Sequence, residues 1–238
     1  MKYFWCALLA SLASARLKAN NIVEVSVLIN GNQNTYQVVE GIAPNADVTA
    51  SYMDGMSSVG WGLLNVTITN KQGTSISDPQ RMYAAGLAEG YLTSVRIYEI
   101  YMNTYNVSGL WDFTNGPSAT LREFLNTQQQ YMDSQIEAHS SNDQFWWYAK
   151  LLQEQFNGLW YGYNLSITEG YVKQQNGSMV PIFNDSWPLQ FLNLVGDLLD
   201  LMSALNQTLR VDYNDYLDRP NEYWEIMQRR GRCSALIK

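Results

Sequence analysis

The longest patterned segment of the chain is residues 78–103, which read DPQRMYAAGLAEGYLTSVRIYEIYMN. Asp78-Pro79 is a typical helix start, and large apolar side chains then recur every three or four residues, which predicts one helix. Gly86 and Gly90 interrupt a run of alanines in its first half. Because glycine inside a helix costs up to about 1 kcal/mol relative to alanine, these glycines predict close packing against another backbone.

Four segments before this helix alternate apolar and polar residues, which is the pattern of half-buried strands. Short separators such as Asn30-Gly31-Asn32 and Asp54-Gly55 lie between them and favour an antiparallel meander. The four predicted strands are Val23–Ile29, Tyr36–Val39, Val48–Met53 and Trp61–Thr69.

Three more helical segments follow along the chain, and Asp185 or Ser186 is positioned to cap the last of them. Residues 161–183, between the second and third, are predicted to be irregular or weakly stranded. Because the strands come first and the helices follow, the order predicts the α+β class and not alternating βα units. The three predicted helices are Ser118–Ala138, Asp143–Trp160 and Ser186–Gln207.

The composition indicates a folded protein that does not bind nucleic acid. The 238 residues are 46% hydrophobic and 16% charged, so there is enough apolar surface to offset the entropy cost of folding. The formal net charge is −7. A nucleic-acid-binding domain usually has a basic surface, so we expect no nucleic-acid partner.

The first fifteen residues have the features of a secretory signal peptide. Lys2 precedes an apolar run over residues 3–13, and Ala13-Ser14-Ala15 offers small residues for cleavage. The run is too short to span a bilayer, and we predict no transmembrane segment. Six Asn-x-Ser/Thr sequons agree with export. We therefore expect a secreted or lysosomal glycoprotein, modified at Asn65, Asn106, Asn164, Asn176, Asn184 and Asn206.

Removal of the signal peptide takes Cys6 with it and leaves Cys233 as the one cysteine of the mature chain. A single thiol forms no internal disulfide, so Cys233 is a buried inert residue, an intermolecular bridge or a nucleophile. His139 is assigned to helix-end or solvent contacts. The chain has no second histidine for a Cys-His or Ser-His dyad or a His-rich zinc site. We predict no metal and no cofactor.

The sequence around Cys233 fits a self-processing enzyme. The cysteine follows Gly231-Arg232 and opens an apolar segment. In such an enzyme the thiol attacks the preceding carbonyl, and the peptide bond, here between Arg232 and Cys233, is severed. The freed α-amine, whose pKa is about 7.7–8.0, then accepts the proton of the thiol, whose ordinary pKa is about 8.5. No histidine is needed.

The junction GRCSALIK (residues 231–238) resembles the cleavage junction of the phospholipase B-like proteins, which are lysosomal and secreted relatives of the lamina-ancestor protein. Three upstream segments are similar as well, so the resemblance runs from about residue 22 to residue 238. They are GWGLL at 60–64, YAAGLAEGYLT at 83–93 and FWW at 145–147.

The resemblance implies an N-terminal-nucleophile hydrolase with a four-layered αββα core. Its members are made with a signal peptide, N-glycosylated and cut before the cysteine into two associated chains. The implied activity is the removal of fatty acyl groups from glycerophospholipids, with Cys233 as the nucleophile. The fold's other members are mostly amidases, so an amide-containing lipid stays open as substrate. A non-catalytic alternative is a secreted glycoprotein whose aromatic helices bind lipid or protein, with Cys233 inert or bridging.

The predicted organisation has three parts: the signal peptide (1–15), the N-terminal portion of a phospholipase B-like domain (16–228), and a processing junction with the start of the nucleophile strand (229–238). The chain stops where an apolar segment begins. We therefore expect the C-terminal portion of the same proenzyme as a partner, and no activity from this chain alone. Arg232 stands where a small residue or histidine is expected. The stretch Arg229-Arg230-Gly231-Arg232 also suits a basic-site protease, so self-cleavage and external cleavage are both open.

Overall fold

A computed structural model describes residues 22–69, 75–104, 111–112, 116–171 and 180–230. The chain divides into two compact units, one up to Leu194 and one from Val195. The first unit contains, in chain order, β1 (Ile22–Asn30), β2 (Thr35–Glu40), β3 (Val48–Gly55), β4 (Trp61–Ile68), α1 (Asp78–Thr104), β5 (Trp111–Asp112), β6 (Gly116–Pro117), α2 (Ala119–His139), α3 (Gln144–Thr168) and α4 (Trp187–Leu194).

The four predicted strands and the α+β class are confirmed, but the predicted meander is wrong. The sheet order is β2-β1-β3-β4, and every neighbouring pair is antiparallel. Val27 of β1 pairs with Val38 of β2 on one side and with Val48 of β3 on the other. Val25 and Val27 are fully buried. A strand this deeply buried needs partners for its backbone groups on both edges, so β1 is central.

The link from β2 to β3 passes over β1, and a buried serine holds it there. The Ser26 hydroxyl donates to the carbonyl oxygen of Gly41 (2.7 Å) and accepts the N–H of Ala43 (2.8 Å). The N–H of Asp47 then donates to the carbonyl oxygen of Val27 (3.2 Å). Because Ser26 is completely buried, its hydroxyl requires partners of this kind, and the linking segment supplies them.

Helix α1 covers one face of the sheet. Alternate residues of β1 and β3 point towards α1, whose alanines allow a close approach. The opposite face carries a polar cross-strand row, in which Ser51 pairs with Glu24 on one side and with Asn65 on the other. The buried cluster between sheet and helix consists of Val25, Val27, Val48, Ala50, Ala84, Ala85, Leu87, Ala88, Tyr91 and Leu92.

Helices α1 and α3 cross with their backbones in contact, which confirms the packing predicted from the helical glycines. A Cβ atom added to Gly86 would overlap the carbonyl of Gln155, at 2.8 Å from its carbon atom. A Cβ added to Gly158 would lie 2.8 Å from the carbonyl carbon of Tyr83. Gly90 and Gly162 make the corresponding contacts one turn further along. Each helix therefore presents two glycines, four residues apart, to the other.

The helix starts predicted at Ser118 and Asp143 are confirmed, and both side chains cap the helices α2 and α3 that follow them. The Ser118 hydroxyl accepts the N–H of Leu121 (3.4 Å), and a carboxylate oxygen of Asp143 accepts the N–H of Phe145 (2.8 Å). These bonds satisfy backbone donors that have no partner within the first helical turn. Asp185 likewise accepts the N–H of Trp187 at the start of α4 (3.1 Å).

The prediction that residues 161–183 are irregular is wrong up to residue 168, because α3 continues to Thr168. Tyr163 is fully buried, stacks on Phe183 with ring centroids 4.3 Å apart, and donates its hydroxyl to the carbonyl of Pro181 (2.9 Å). The Asn164 amide donates to the carbonyl oxygen of Phe183 (3.0 Å) and accepts its N–H (2.9 Å). The polar residues that made this stretch resemble a loop instead face a neighbouring segment inside the fold.

The prediction of a single helix over residues 186–207 is wrong, because the structure has two shorter helices there. The chain forms α4, leaves helical geometry around Gly196, and then forms α5. Glycine has a low helix propensity, so a break at this position costs little. The second unit, from Val195 onwards, contains α5 (Leu198–Leu205), two short 3₁₀ helices (Gln207–Leu209 and Tyr213–Tyr216) and α6 (Pro220–Arg230).

Candidate functional site

A cleft of about 720 Å³ opens where β2, α1 and α3 meet. Each element contributes one tyrosine: Tyr36 from β2, Tyr83 from α1 and Tyr161 from α3. The rings of Tyr36 and Tyr83 are in contact, with centroids 4.5 Å apart, and Tyr161 lies 6.2 Å from Tyr83. The side chain of Tyr161 is 46% exposed. We call this site the tyrosine cleft.

Amide groups close one side of the tyrosine cleft and hold the β1–β2 turn against the start of α1. The Gln80 amide donates to the carbonyl oxygen of Gly31 (3.0 Å) and to the side-chain oxygen of Asn34 (3.3 Å). The Tyr36 hydroxyl donates to the same oxygen of Asn34 (2.9 Å). These polar groups satisfy one another, so this wall of the cleft is preformed.

Two opposite charges lie on the α3 wall of the tyrosine cleft. Lys150 and Glu154 are both half-buried and stand one helical turn apart. The Lys150 ammonium lies 6.0 Å from the ring centroid of Trp147. Within the part of the chain that the structure describes, neither Lys150 nor Glu154 belongs to an ion pair. Both charges are therefore available to a polar ligand.

The hydroxyls of Tyr36 and Tyr83 in the tyrosine cleft stay protonated at acidic and neutral pH. Burial, reinforced by Tyr161, Tyr36 and Glu154, raises the pKa of Tyr83 to about 12. Burial is also the main reason why the pKa of Tyr36 is raised, and the negative charge of Glu154 adds to it. A protonated phenol both donates and accepts hydrogen bonds, so these side chains offer neutral polar contacts beside the two charges.

A second cleft, of about 530 Å³, lies further along the same face of β2. Glu40 lines it together with Tyr91 of α1 and with Glu169 and Tyr171 at the end of α3. The Tyr91 hydroxyl donates to a carboxylate oxygen of Glu169 (3.2 Å), and its ring lies 4.6 Å from that of Tyr171. Burial, then the charge of Glu169, raises the pKa of Tyr91 to about 12. Both clefts use the inward-facing residues of β2.

The aromatic residues singled out in the sequence do not form one groove. Trp146 is half-buried and contacts Phe145 and Tyr131 edge-on. Trp160 donates its indole N–H to the carbonyl of Phe183 (3.1 Å). Of the adjacent aromatic pairs Trp146-Trp147 and Trp160-Tyr161 on α3, Tyr161 is the residue that lines the tyrosine cleft.

Comparison with known proteins shows which family this chain belongs to. Residues 48–238 match the family model described as Phospholipase B. The chain is 30% identical over 238 residues to a protein named phospholipase B from Crotalus adamanteus, covering 99% of this chain and 40% of that protein. The chain belongs to the phospholipase B family. It is also 29% identical over 209 residues to phospholipase B-like 1 from Homo sapiens, covering 87% of this chain and 33% of the human protein.

A third relative agrees with membership of the phospholipase B family. Phospholipase B-like protein D from Dictyostelium discoideum is 29% identical over 220 residues, which are 92% of this chain and 35% of that protein. The chain thus spans two fifths or less of the length of these relatives. The resemblance stated from the junction and the glycine-containing helix is thereby confirmed at the level of the family.

The nucleophile and cleavage site predicted for this member of the phospholipase B family, Cys233 and Arg232, lie outside the described residues. Of the predicted processing junction, Arg229 and Arg230 form the end of α6. Among the residues that the structure describes, no group of three or more His, Cys, Asp or Glu is arranged to hold a metal ion. None of the described helices is long and apolar enough to cross a membrane.

The predicted glycosylation sites differ in how accessible their amides are. Asn65, Asn184 and Asn206 are exposed, whereas Asn106 and Asn176 lie outside the described residues. The Asn206 side-chain oxygen accepts the Thr208 hydroxyl (2.7 Å), and no hydrogen bond is formed by its amide nitrogen among the described residues. The nitrogen of Asn164 instead donates to Phe183, as described above. The folded structure therefore disfavours a glycan at Asn164.

Helix α1 also carries a half-buried carboxyl group, Glu89, next to the glycine crossing. Burial raises the pKa of Glu89 above its ordinary value of 4.5, and a hydrogen bond from Gln155 partly offsets this effect. Glu89 lines neither the tyrosine cleft nor the second cleft, and its contact with Gln155 suggests a structural role at the helix crossing.

Replacement of Glu89 by glutamine is expected to change how stability depends on pH. The folded state binds the Glu89 proton more tightly than the unfolded state does, so ionisation weakens the fold as pH rises above 4.5. Glu89→Gln should therefore be more stable than the wild type at pH 7, and the advantage should disappear below pH 4.5. Denaturant unfolding at both pH values measures this. The exposed Glu137→Gln is the matched control, and equal pH dependence of Glu89→Gln and wild type would contradict the prediction.

Proposed function

We propose that this chain is the N-terminal portion of a hydrolase that removes fatty acyl groups from glycerophospholipids. The observation that carries the proposal is membership of the phospholipase B family over residues 48–238. Relatives named phospholipase B include the Crotalus adamanteus protein, of which this chain spans 40%. Cys233, at the family-like junction GRCSALIK, is the nucleophile of the proposed mechanism.

In the proposed reaction the thiol of Cys233 is the nucleophile and its own α-amine is the base. Cleavage between Arg232 and Cys233 frees the α-amine, which accepts the thiol proton. The thiolate attacks the ester carbonyl, a C–S bond forms, the C–O bond breaks, and the ammonium protonates the departing alcohol. Water then hydrolyses the thioester, which releases the fatty acid and restores the thiol.

The architecture of the first unit supports an N-terminal-nucleophile hydrolase fold. In an αββα arrangement each sheet is covered by helices on one face and by a second sheet on the other. Here α1 covers one face, while the other carries apolar side chains at one end, including Ile22 (56% exposed), Trp61 (73%) and Leu63 (52%). This face suits a second sheet supplied by the C-terminal portion of the same proenzyme.

The 238 residues alone are proposed to be inactive. A tetrahedral intermediate requires preorganised donors for its negative oxygen, and we assign these donors to the C-terminal portion. The support is the coverage, since relatives of this chain are more than twice its length. Export through a signal peptide at residues 1–15 to the lysosome or cell exterior belongs to the same proposal. Release of fatty acid from phosphatidylcholine by the purified 238-residue chain would contradict the inactivity.

N-terminal sequencing of a processed preparation tests the role of Cys233. In the wild type we expect a new N-terminus at Cys233, and in Cys233→Ala we expect none, because the attacking thiol is lost. Ser234→Ala, which removes the neighbouring hydroxyl, is the matched control and should be cut like the wild type. A cut before residue 233 in Cys233→Ala would assign cleavage to an external protease at Arg232. A disulfide-linked dimer through Cys233 on a non-reducing gel would favour the non-catalytic alternative.

A further inference from the structure

The residues that line the tyrosine cleft do not suit contact with the acyl chain of a lipid. Pro79 is its one aliphatic lining residue, and no Val, Leu, Ile, Met or Phe side chain lines it among the described residues. An acyl chain binds through buried apolar surface, which this cleft does not offer. A polar group of about the size of a lipid headgroup, in contrast, fits within about 720 Å³.

The charges of the cleft match a ligand with one negative and one positive group. Lys150 and Glu154 are four residues apart on α3, so their Cβ atoms are about 6 Å apart on the same helix face. Neither is ion-paired within the described chain. A single lysine is a weak site for a multiply charged anion, and a single glutamate is a weak site for a lone cation. A zwitterion satisfies both.

The tyrosine rings, like the carboxylate of Glu154, favour binding of the positive group of the ligand. A quaternary ammonium binds over aromatic faces as well as near carboxylates, because the face of an aromatic ring carries negative electrostatic potential. Tyr36, Tyr83 and Tyr161 line the cleft beside Glu154. The carboxylate of Glu154 lines the same cleft as Tyr36 and Tyr83, and its negative charge contributes to the raised pKa of both tyrosines.

We propose that the tyrosine cleft binds a zwitterionic phosphodiester headgroup of the glycerophosphocholine type, with the phosphate at Lys150 and the ammonium at Glu154 and the tyrosines. An ethylene bridge separates the two charges in this group, which lets one molecule contact residues one helical turn apart. The proposal rests on the proposed function for the choice of headgroup and deepens it by naming the substrate class. It predicts a headgroup subsite formed by residues of β2, α1 and α3.

Calorimetric titration of the purified chain with three soluble probes tests the site. We expect saturable binding of glycerophosphocholine and weaker binding of its two halves, glycerol 3-phosphate and choline. Lys150→Gln should weaken glycerophosphocholine and glycerol 3-phosphate by about fivefold and leave choline unchanged. Glu154→Gln should weaken glycerophosphocholine and choline by about the same factor and leave glycerol 3-phosphate unchanged. The exposed Glu123→Gln on α2 is the matched control and should bind all three like the wild type.

Phosphatidylcholine vesicles distinguish a lipid headgroup from the soluble compound. If the headgroup is the determinant, glycerophosphocholine competes with vesicles for the chain. Failure of glycerophosphocholine to bind, binding unaffected by both variants, or equal binding of a neutral disaccharide would each overturn the proposal. These outcomes are separate from the proposed function, because binding is measured without hydrolysis. Headgroup binding with no fatty-acid release from the processed protein would count against the hydrolase alone.

Discussion

Replacement of Gly86 by alanine is expected to lower the free energy of unfolding by at least about 3 kcal/mol, the upper end of the usual cost of overpacking. The added Cβ would overlap the carbonyl of Gln155, and the atoms it meets belong to the backbone of α3. Side chains can rotate away from an extra methyl group, but a helical backbone cannot move without separating α1 from α3. Gly158→Ala meets the carbonyl of Tyr83 in the same way and should cost a similar amount.

Denaturant unfolding of the two variants beside Gly196→Ala measures this effect. A Cβ on Gly196 would have no atom within 4 Å, and the glycine lies outside the helices that cross. The control should stay within about 0.5 kcal/mol of the wild type, as surface substitutions usually do. Because single domains are stable by only about 5–15 kcal/mol, loss of secretion by Gly86→Ala also fits the prediction. A change below about 1 kcal/mol would mean that the helices do not touch at these glycines.

Replacement of Asn164 by alanine is expected to lower the free energy of unfolding by about 2–3 kcal/mol. The variant loses two hydrogen bonds to the backbone of Phe183 (3.0 and 2.9 Å), and it leaves the N–H of Phe183 without its partner. The carbonyl oxygen of Phe183 keeps the bond from Trp160 (3.1 Å). The unpaired N–H therefore accounts for most of the expected loss.

The same geometry predicts that Asn164 carries no glycan in the folded, secreted protein, although it lies in a sequon. A sugar would replace one of the two hydrogens of this nitrogen, which the folded chain already holds against the carbonyl oxygen of Phe183. Peptide mass spectrometry of the secreted chain should find Asn65 modified and Asn164 unmodified. For stability, Asn65→Ala on exposed β4 is the matched control and should be near neutral when both variants are made without glycosylation. High glycan occupancy at Asn164, or equal stabilities of the two variants, would contradict this prediction.

The parts of the fold that could be predicted from the sequence are those with a local cause. Alternating residues identified β1–β4, and Asp185 was correctly predicted to cap the last helical segment, because its carboxylate accepts the N–H of Trp187. Gly86 and Gly90 predicted a close helix contact because helical glycine is costly. The partner glycines, Gly158 and Gly162, could not be matched with them, since pairing depends on how distant segments pack.

The predictions that were wrong concern contacts between residues far apart in the sequence. The position of β1 in the sheet depends on the link that Ser26 holds, a contact over 15 positions that no local pattern reveals. The end of α3 was predicted at Trp160, eight residues before its observed end at Thr168, and the extra turns contain the polar residues Asn164 and Ser166. Ser166 is completely buried and donates its hydroxyl to the carbonyl of Tyr163 within the helix (2.8 Å). A polar residue whose partner lies inside the fold looks the same in sequence as one that faces water.

The candidate functional residues also include some with a local signal in the sequence and others that only long-range packing brings together. Cys233 is inferred from the number of cysteines and from the junction around it, all of which is local, and it stays a prediction because it lies outside the described residues. The tyrosine cleft was missed because its three rings come from β2, α1 and α3, separated by many positions. The available signal was the alternation of Tyr36, Val38 and Glu40 on one face of an edge strand, which indicates that something on that face receives polar and aromatic side chains.

The glycine crossing also determines where the tyrosines of the cleft are held. Gly158 rests against the carbonyl of Tyr83, and Gly162, which follows Tyr161 in sequence, rests against Leu87. Two interlocked contacts on each helix prevent α1 and α3 from sliding along or rotating about each other. The separation of the two rings is thus set by main-chain atoms, whatever the neighbouring side chains are. Substitutions of side chains within the cleft can therefore alter its chemistry while the spacing of α1 and α3 stays unchanged, so new ligand preferences can arise without loss of the helix packing.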